Sequence, residues 1–284
     1  MSGSEQIKSQ QSRYDSTEAT AYYVYCVAQS IPAAEIVGEL RPPSIEDGTS
    51  LELINSKELT AVVSPVPLSS YGEEALAQRL SDAAWMAIRA MRHEQVVEHF
   101  AKRTSVVPLR FGTIYLDRSG VEGMLIDKRE QLTSIIQRLK DREEWGVNVY
   151  SDRAILLDNI TSVSPRLREM TEAAKNAPPG QSYLMLKKIE ALRADETKAE
   201  VARAADEVET KLKDQSDDSV RLRILKVETT EHGELKAKFA FLVPRSSFED
   251  FRNAAEQLAE QMEASGIRIE LTGPWPPYNF ANTN

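Results

Sequence analysis

Between Val220 and Leu271 the hydrophobic period switches twice, and that succession leaves few folds open. Val220, Leu222 and Ile224 alternate with Arg221 and Arg223, the pattern of a half-buried strand. Thr230-Glu231-His232-Gly233-Glu234 reads as a turn, and Leu235, Ala237, Phe239, Phe241 and Val243 line one face of a returning strand. The period then becomes helical: Phe248, Phe251, Ala255, Leu258 and Met262 form one stripe, with Ser246 or Ser247 placed to cap it. Gly266 stands where a helix end calls for positive φ, and Ile267, Ile269 and Leu271 form a last strand with Arg268 and Glu270 facing away. Upstream, Glu144-Trp145-Gly146-Val147-Asn148-Val149-Tyr150 is strand-like, and helical patches run to Asn176. Pro178-Pro179-Gly180 breaks them, and Gln181 to Asp214 reads as one long helix. The order β-α-β-β-α-β is that of a ferredoxin-like domain carrying an extra helical insertion.

The first half is less regular. Ala21 to Ala28 predicts a strand, and Ser50–Ile54 with Leu59–Val63 predicts a hairpin turning at Asn55-Ser56-Lys57-Glu58 and ended by Pro65 and Pro67. A helix is expected from Glu73 to Lys102, with Leu76, Leu80, Ala84, Ile88 and Met91 inward and Val96 and Phe100 on a neighbouring stripe. Thr104 to Tyr115 is extended and contains Pro108, which suits an edge or bulge. A second helix covers Ser119 to Arg142, with Leu125, Leu132, Ile135, Ile136 and Leu139 inward. In the long helix, Tyr183, Leu186, Ile189 and Leu192 point inward, followed by Val201, Ala205, Val208 and Leu212; the later face is thinner and is expected partly in solvent.

The expected class is therefore α+β in two domains. A disordered leader covers 1–19, an N-terminal mixed α+β domain 20–143 and a modified ferredoxin-like domain 144–272. The remainder, 273–284, is an extended aromatic and proline-rich tail. In it Gly273, Pro274, Trp275, Pro276, Pro277, Tyr278 and Phe280 follow the last strand directly. Proline fixes φ and removes an amide donor, so this stretch is expected to leave the sheet as a stiff segment. A stiff segment loses little entropy on docking, and its aromatics supply apolar area. It is a latch, for the chain's own body or for a partner.

Composition narrows the function. Lys and Arg number 35 against 44 Asp and Glu, a formal net charge of −9, which disfavours nucleic acid and anionic membrane surfaces. No apolar run approaches the roughly 18–20 residues of a membrane span, and the first residues lack the apolar core of a signal peptide. Cys26 is a lone cysteine inside a strand, which fits a packed thiol in a reducing compartment, so a cytoplasmic location is expected. The histidines are His93, His99 and His232; the first two lie six apart on one helix and face different ways, so neither a zinc site nor any other cofactor is expected. Phosphate loops, nucleophile elbows and kinase signatures are absent from the sequence. The acid pairs Glu73-Glu74, Glu143-Glu144 and Asp217-Asp218 read as solvated element ends, Glu196 and Glu200 as a repulsive helix pair, and Glu207 and Lys211 as an attractive one. Arg110 between apolar neighbours reads as an internal salt bridge joining the domains, or else as a site for an anion or a partner carboxylate.

Four segments occur in an order that resembles the gas vesicle protein F/L family (GvpF/GvpL). They are Val107-Pro108-Leu109-Arg110-Phe111-Gly112-Thr113, Glu144-Trp145-Gly146-Val147-Asn148-Val149, Gly180-Gln181-Ser182-Tyr183-Leu184 and the terminal Leu271 to Phe280. The resemblance implies an accessory or minor structural protein of gas vesicle assembly without catalytic chemistry. Its implied partners are the small hydrophobic shell protein and other gas vesicle accessory proteins, rather than nucleic acid or a lipid membrane. Candidate interface or structural residues are Pro108, Arg110, Phe111, Gly112, Trp145, Tyr183 and the terminal Gly273, Pro274, Trp275, Pro276, Pro277, Tyr278 and Phe280. The competing class is a small-molecule-binding or enzymatic protein built on a ferredoxin-like domain, since one fold serves many functions.

Overall fold

The computed structural model describes residues 19–37, 42–79, 81–224 and 229–281. The expected leader, up to Glu18, the helix position Leu80 and the last residues from Asn282 lie outside them. The chain forms two compact units, Met1–Arg138 and Leu139–Asn284. Each is mixed α+β and holds an antiparallel sheet.

The first unit runs β1 (Thr20–Gln29), α1 (Ser30–Val37), β2 (Glu52–Ser56), β3 (Leu59–Pro67), α2 (Leu68–Tyr71), α3 (Glu73–Arg79), α4 (Ala83–Ala101), β4 (Val106–Pro108), β5 (Ile114–Tyr115), α5 (Arg118–Asp127) and most of α6 (Arg129–Leu139). Its sheet is ordered β2-β3-β1-β4, with β5 also on β1. The hairpin turns at Lys57 and Glu58 as expected, but Pro65 and Pro67 do not end it. They pair with Tyr22 and Thr20 of β1. Strand β2 stops opposite Val63, so among the described residues β3 has an open side beyond that point, where a missing amide hydrogen costs nothing.

The expected helix 73–102 is broken. Asp82 caps α4, its carboxylate accepting from the amides of Ala84 and Trp85 at 3.0 Å. The buried stripe of α4 is also not the one read from apolar spacing: Ala84, Ile88 and Met91 are exposed, while Trp85, His93, Val96, Val97 and Phe100 are buried. Polar residues face inward here because each has a partner. Arg89 donates to both carboxylate oxygens of Glu46, and Arg92 donates to Asp47 and to the Ile45 carbonyl. The second expected helix is likewise two, α5 and α6, though Leu125, Leu132, Ile135, Ile136 and Leu139 are all buried.

The second unit adds β6 (Arg142–Ser151), α7 (Arg153–Val163), α8 (Pro165–Lys175), α9 (Pro179–Lys213), β7 (Asp218–Arg221), β8 (Thr229–Thr230), β9 (Gly233–Pro244), α10 (Phe248–Glu263) and β10 (Ile267–Trp275). Its sheet is ordered β10-β6-β9-β7, with β8 on β9. Val147, Val149, Ala237, Phe239, Phe241, Val243 and Ile267 meet the apolar stripes of α9 and α10 in one core. The α10 stripe is as read from the sequence; Ser247 precedes it without a side-chain cap, after a short 3-10 turn.

Strand β7 departs from its pattern. Ser219 and Arg221 lie opposite Phe241 and Phe239, so they share the helix-covered face, and Val220 is turned away, 37% exposed. Arg221 tolerates this position by stacking its guanidinium 5.3 Å above the Phe239 ring and pairing with Asp206 and Glu209 of α9. Helix α9 is also inverted relative to expectation. Its core contacts come from Ile189 onward, through Ala204, Ala205, Val208 and Leu212, whereas Tyr183 and Leu186 are exposed. Small side chains in the later part let the helix lie close on the core, so thin apolar content marks contact rather than solvent.

Gly266 has φ +89, and a Cβ there would sit 2.8 Å from the Leu156 amide nitrogen. Gly123, in α5, has open space around it. In chemical denaturation, Gly266→Ala is expected to cost roughly 1–3 kcal/mol or more, and Gly123→Ala to gain about 0.5–1 kcal/mol. Equal effects would contradict the strained backbone assigned to Gly266.

Candidate interaction surface

The terminal segment stays in the sheet longer than its prolines suggest. Gly273, Pro274 and Trp275 belong to β10, with a register shift between Thr272 and Trp275, and Trp275 lies opposite Glu144. Gly273 has φ +122, a conformation a side chain rarely adopts. Beyond Trp275 the chain turns instead of extending, through amide-to-carbonyl bonds from Tyr278 to Pro276 and from Phe280 to Pro277.

Glu144 holds this turn. Its two carboxylate oxygens accept from the Asn279 backbone amide at 3.0 Å and from Asn279 Nδ2 at 2.6 Å. Glu144 is only 4% exposed, and Phe280, Ala281 and Pro276 are buried. The reading of Glu144 as a solvated acid is thus corrected: β6 carries it on the face turned from the helices, where the tail amides satisfy it. Gly146, two residues on, leaves room for the same segment. A Cβ there would lie 2.6 Å from Thr272 Oγ1 and 3.4 Å from Trp275 Nε1, and Trp275 Nε1 donates to Thr272 Oγ1 at 3.1 Å. Trp145 points to the opposite face and stacks on Phe248, centroids 4.2 Å apart. Glu144, Gly146 and Asn279 lie in segments that carry the family resemblance but were not among the candidate interface residues. The available signal was a glycine and an acid flanking a strand tryptophan.

In the first unit, Pro108 is buried in β4 opposite Cys26, and Arg110-Phe111-Gly112-Thr113 forms a turn closed by the Thr113 amide on the Arg110 carbonyl at 3.1 Å. Gly112, at φ +82, occupies the third position, which such a turn reserves for glycine. The Gly112 amide donates to Tyr23 Oη at 3.1 Å, and Tyr23 Oη lies 2.9 Å from His93 Nδ1. His93 also bonds the Leu109 backbone, so Tyr23 donates to Nδ1 and the other ring nitrogen donates to Leu109. Burial pushes the His93 pKa down to about 4, so the ring is neutral near pH 7. Phe111 packs edge-on to both rings, with centroids 6.1 Å from Tyr23 and 5.9 Å from His93. Arg110 is exposed and forms no ion pair among the described residues of its own unit.

Tyr183 lies on α9 with Leu184 and Leu186; the three are 61%, 68% and 52% exposed. Further along, Glu196 and Glu200 are not left to repel: Arg203 pairs with both, and the Ser164 hydroxyl and Arg166 also bond Glu196. The Ser164 hydrogen bond holds the Glu196 carboxyl below the usual range. Glu207 pairs with Lys211 as expected. Beside this stretch, a cavity of about 600 Å³ lies between α7, α9 and the end of α10. Much of its polar lining is already paired: Asn159 donates to the Ala264 carbonyl, Ser265 to that of Met262 and Arg203 to Glu200. It therefore presents few convergent groups to a ligand.

A family model described as gas vesicle synthesis protein GvpL/GvpF matches residues 21–282. The chain belongs to that family. Gas vesicle protein L of Streptomyces sp. (strain CB03234) is 29% identical over 236 residues, covering 82% of this chain and 84% of the relative. Gas vesicle protein L2 of Halobacterium salinarum is 27% identical over 270 residues, 91% of this chain and 90% of the relative. The crystal structure of GvpF from Anabaena sp. PCC7120 superposes with a TM-score of 0.66 at 20% identity, over 93% of this chain and 99% of that one. At that identity the likeness speaks for the fold. The role of this GvpL/GvpF-family chain is gas vesicle-related, and no helix among the described residues is long and apolar enough to cross a membrane.

Two outcomes follow for this family member. Glu144→Ala removes both hydrogen bonds that a charged carboxylate makes to Asn279 and is expected to cost about 1.5–3 kcal/mol and to open residues 276–281 to protease, with Asn279→Ala, which keeps one bond, milder. Unchanged proteolysis in Glu144→Ala would refute the latch. For His93, the folded pKa lies below the unfolded value near 6.5, so the unfolded chain binds more protons between those values. Its contribution is present above about pH 6.5 and is lost as pH falls toward 4, on the order of 3 kcal/mol. His93→Gln is expected to flatten that part of the stability–pH curve; an unaltered slope would contradict the buried neutral ring.

Proposed function

We propose that this chain is an accessory or minor structural protein of gas vesicle assembly that binds the small hydrophobic shell protein and performs no bond-making step. The binding surface is the opening of α9. One observation carries the reading: Tyr183, Leu184 and Leu186 stand exposed within about one turn of a helix that is packed from Ile189 onward. Large exposed apolar side chains gathered on one element are characteristic of a docking surface. A very hydrophobic subunit must be shielded from its own kind before it joins a wall, and an apolar helix face can shield an amphipathic partner segment. Lys187, whose ammonium lies 5.9 Å from the Tyr183 ring centroid, borders the patch with charge.

Family membership supports partners drawn from the gas vesicle proteins. The strand order β10-β6-β9-β7, with every neighbouring pair antiparallel, supports a ferredoxin-like description of the second unit. The tail serves as a latch on β6 and contributes to binding only by keeping the unit folded. The pairing of its Asn279 with Glu144 supports that assignment.

The test is capture of purified shell protein by the full chain and by the triple variant Tyr183→Ser, Leu184→Ser, Leu186→Ser. Exposed positions tolerate such changes with little loss of stability. Capture is expected to weaken at least about tenfold, ~1.4 kcal/mol, with the thermal midpoint nearly unmoved. Undiminished capture would remove α9 from the proposal.

A further inference from the structure

Strand β10 is an edge: it pairs with β6 on one side and with no strand on the other among the described residues. The Asp152 amide bonds the Gly266 carbonyl at 2.8 Å, and these residues face each other in the register. In an antiparallel ladder hydrogen-bonded pairs alternate, so Arg268, Glu270 and Thr272 turn their backbone groups toward β6. Ile267, Ile269 and Leu271 turn theirs outward, and none has a partner there among the described residues. Side chains alternate the other way. Ile267, Ile269 and Leu271 reach the helix-covered core, the last two only half-buried, while Arg268 and Glu270 stand on the opposite face.

We infer that this edge pairs with the β10 edge of a second copy of the chain, antiparallel and centred on Ile269. The segment Ile267-Arg268-Ile269-Glu270-Leu271 is self-complementary in that register. Ile269 faces its own copy and Ile267 faces Leu271, and each of these pairs exchanges both backbone hydrogen bonds, which consumes the outward groups. Arg268 faces Glu270 of the other copy at a non-hydrogen-bonded position, where side chains are closest and opposite charges attract. Sliding one strand by two residues sets Arg268 against its own copy, or Glu270 against its own copy. Sliding by one puts the apolar set on the wrong face. Charge and pattern thus select one register.

The remaining edge surface agrees. Half-buried Ile269 and Leu271 would lose their exposed area on pairing. Ile155, 46% exposed, lies beside Gly266 at the start of the strand. Single-chain edges are commonly blunted by an inward charge or a lysine row; Ile267 to Thr272 carries neither, and its proline comes only at Pro274. At home, Glu270 accepts from Asn148 and Tyr150 through Oε2, so Oε1 faces no partner named in those bonds.

The experiment is sedimentation equilibrium of the full chain with a charge cycle. The native chain is expected to dimerise, Arg268→Glu and Glu270→Arg each to weaken the dimer at least about tenfold, and the double reversal to restore it. A structural role for either side chain alone would not be rescued by swapping both. Independently, Ile269→Cys is expected to give a covalent dimer under mild oxidation, since directly opposed Cα atoms lie about 5.5 Å apart, within disulfide reach. The native Cys26 is buried and stays out of that reaction. A native chain that remains monomeric at high concentration, leaving the edge to another protein's strand, would overturn the inference. A double reversal no better than the single variants would overturn it too.

Discussion

Strand β6, hydrogen-bonded along one side to β9 and along the other to β10, is the constraint on which the second unit depends. One face of it sends Val147 and Val149 into the core against α9 and α10, and Trp145 onto Phe248. The other face presents Glu144 and the bare backbone of Gly146 to the terminal segment. A buried carboxylate is costly without hydrogen-bond donors and stabilising with two of them. Glu144 therefore makes the terminal turn obligatory rather than incidental, and the motif Glu144-Trp145-Gly146 is intelligible as one device with two faces.

In the first unit a comparable arrangement is built from neutral groups. Gly112, Tyr23, His93 and Leu109 form a chain of hydrogen bonds that ties the Arg110–Thr113 turn to β1 and α4. Such a chain fixes one tautomer of His93 and leaves the turn little freedom. Arg110 is then displayed at the tip of a rigid turn, exposed and without an ion pair among the described residues of its own unit.

Where apolar groups alone decided the structure, the sequence was legible. The stripe Phe251, Ala255, Leu258 and Met262 and the alternation from Ala237 to Val243 stand as read, as does the positive φ of Gly266. It failed where polar groups were buried with partners far away in the chain. Arg89, Arg92 and His93 sit on the inward side of α4 because Glu46, Asp47 and Tyr23 meet them there, and periodicity cannot see partners so distant. Arg221 misled in the same way, taking a core-facing register by stacking on Phe239. The candidate surface was half legible. Tyr183 was noted within a motif yet assigned inward, because a helix rich in alanine and charge was expected to pack through its larger side chains.

The second unit thus separates its tasks: Glu144 closes the tail, β10 offers an open edge, and the first turns of α9 carry exposed apolar groups. In the proposed function the last is the surface that captures a hydrophobic subunit, and amide hydrogen exchange with and without purified shell protein addresses that most directly. The expected result is slowed exchange concentrated in residues 179–190, with the rest of α9 unchanged. Slowing confined to other elements, or none at saturating shell protein, would contradict it.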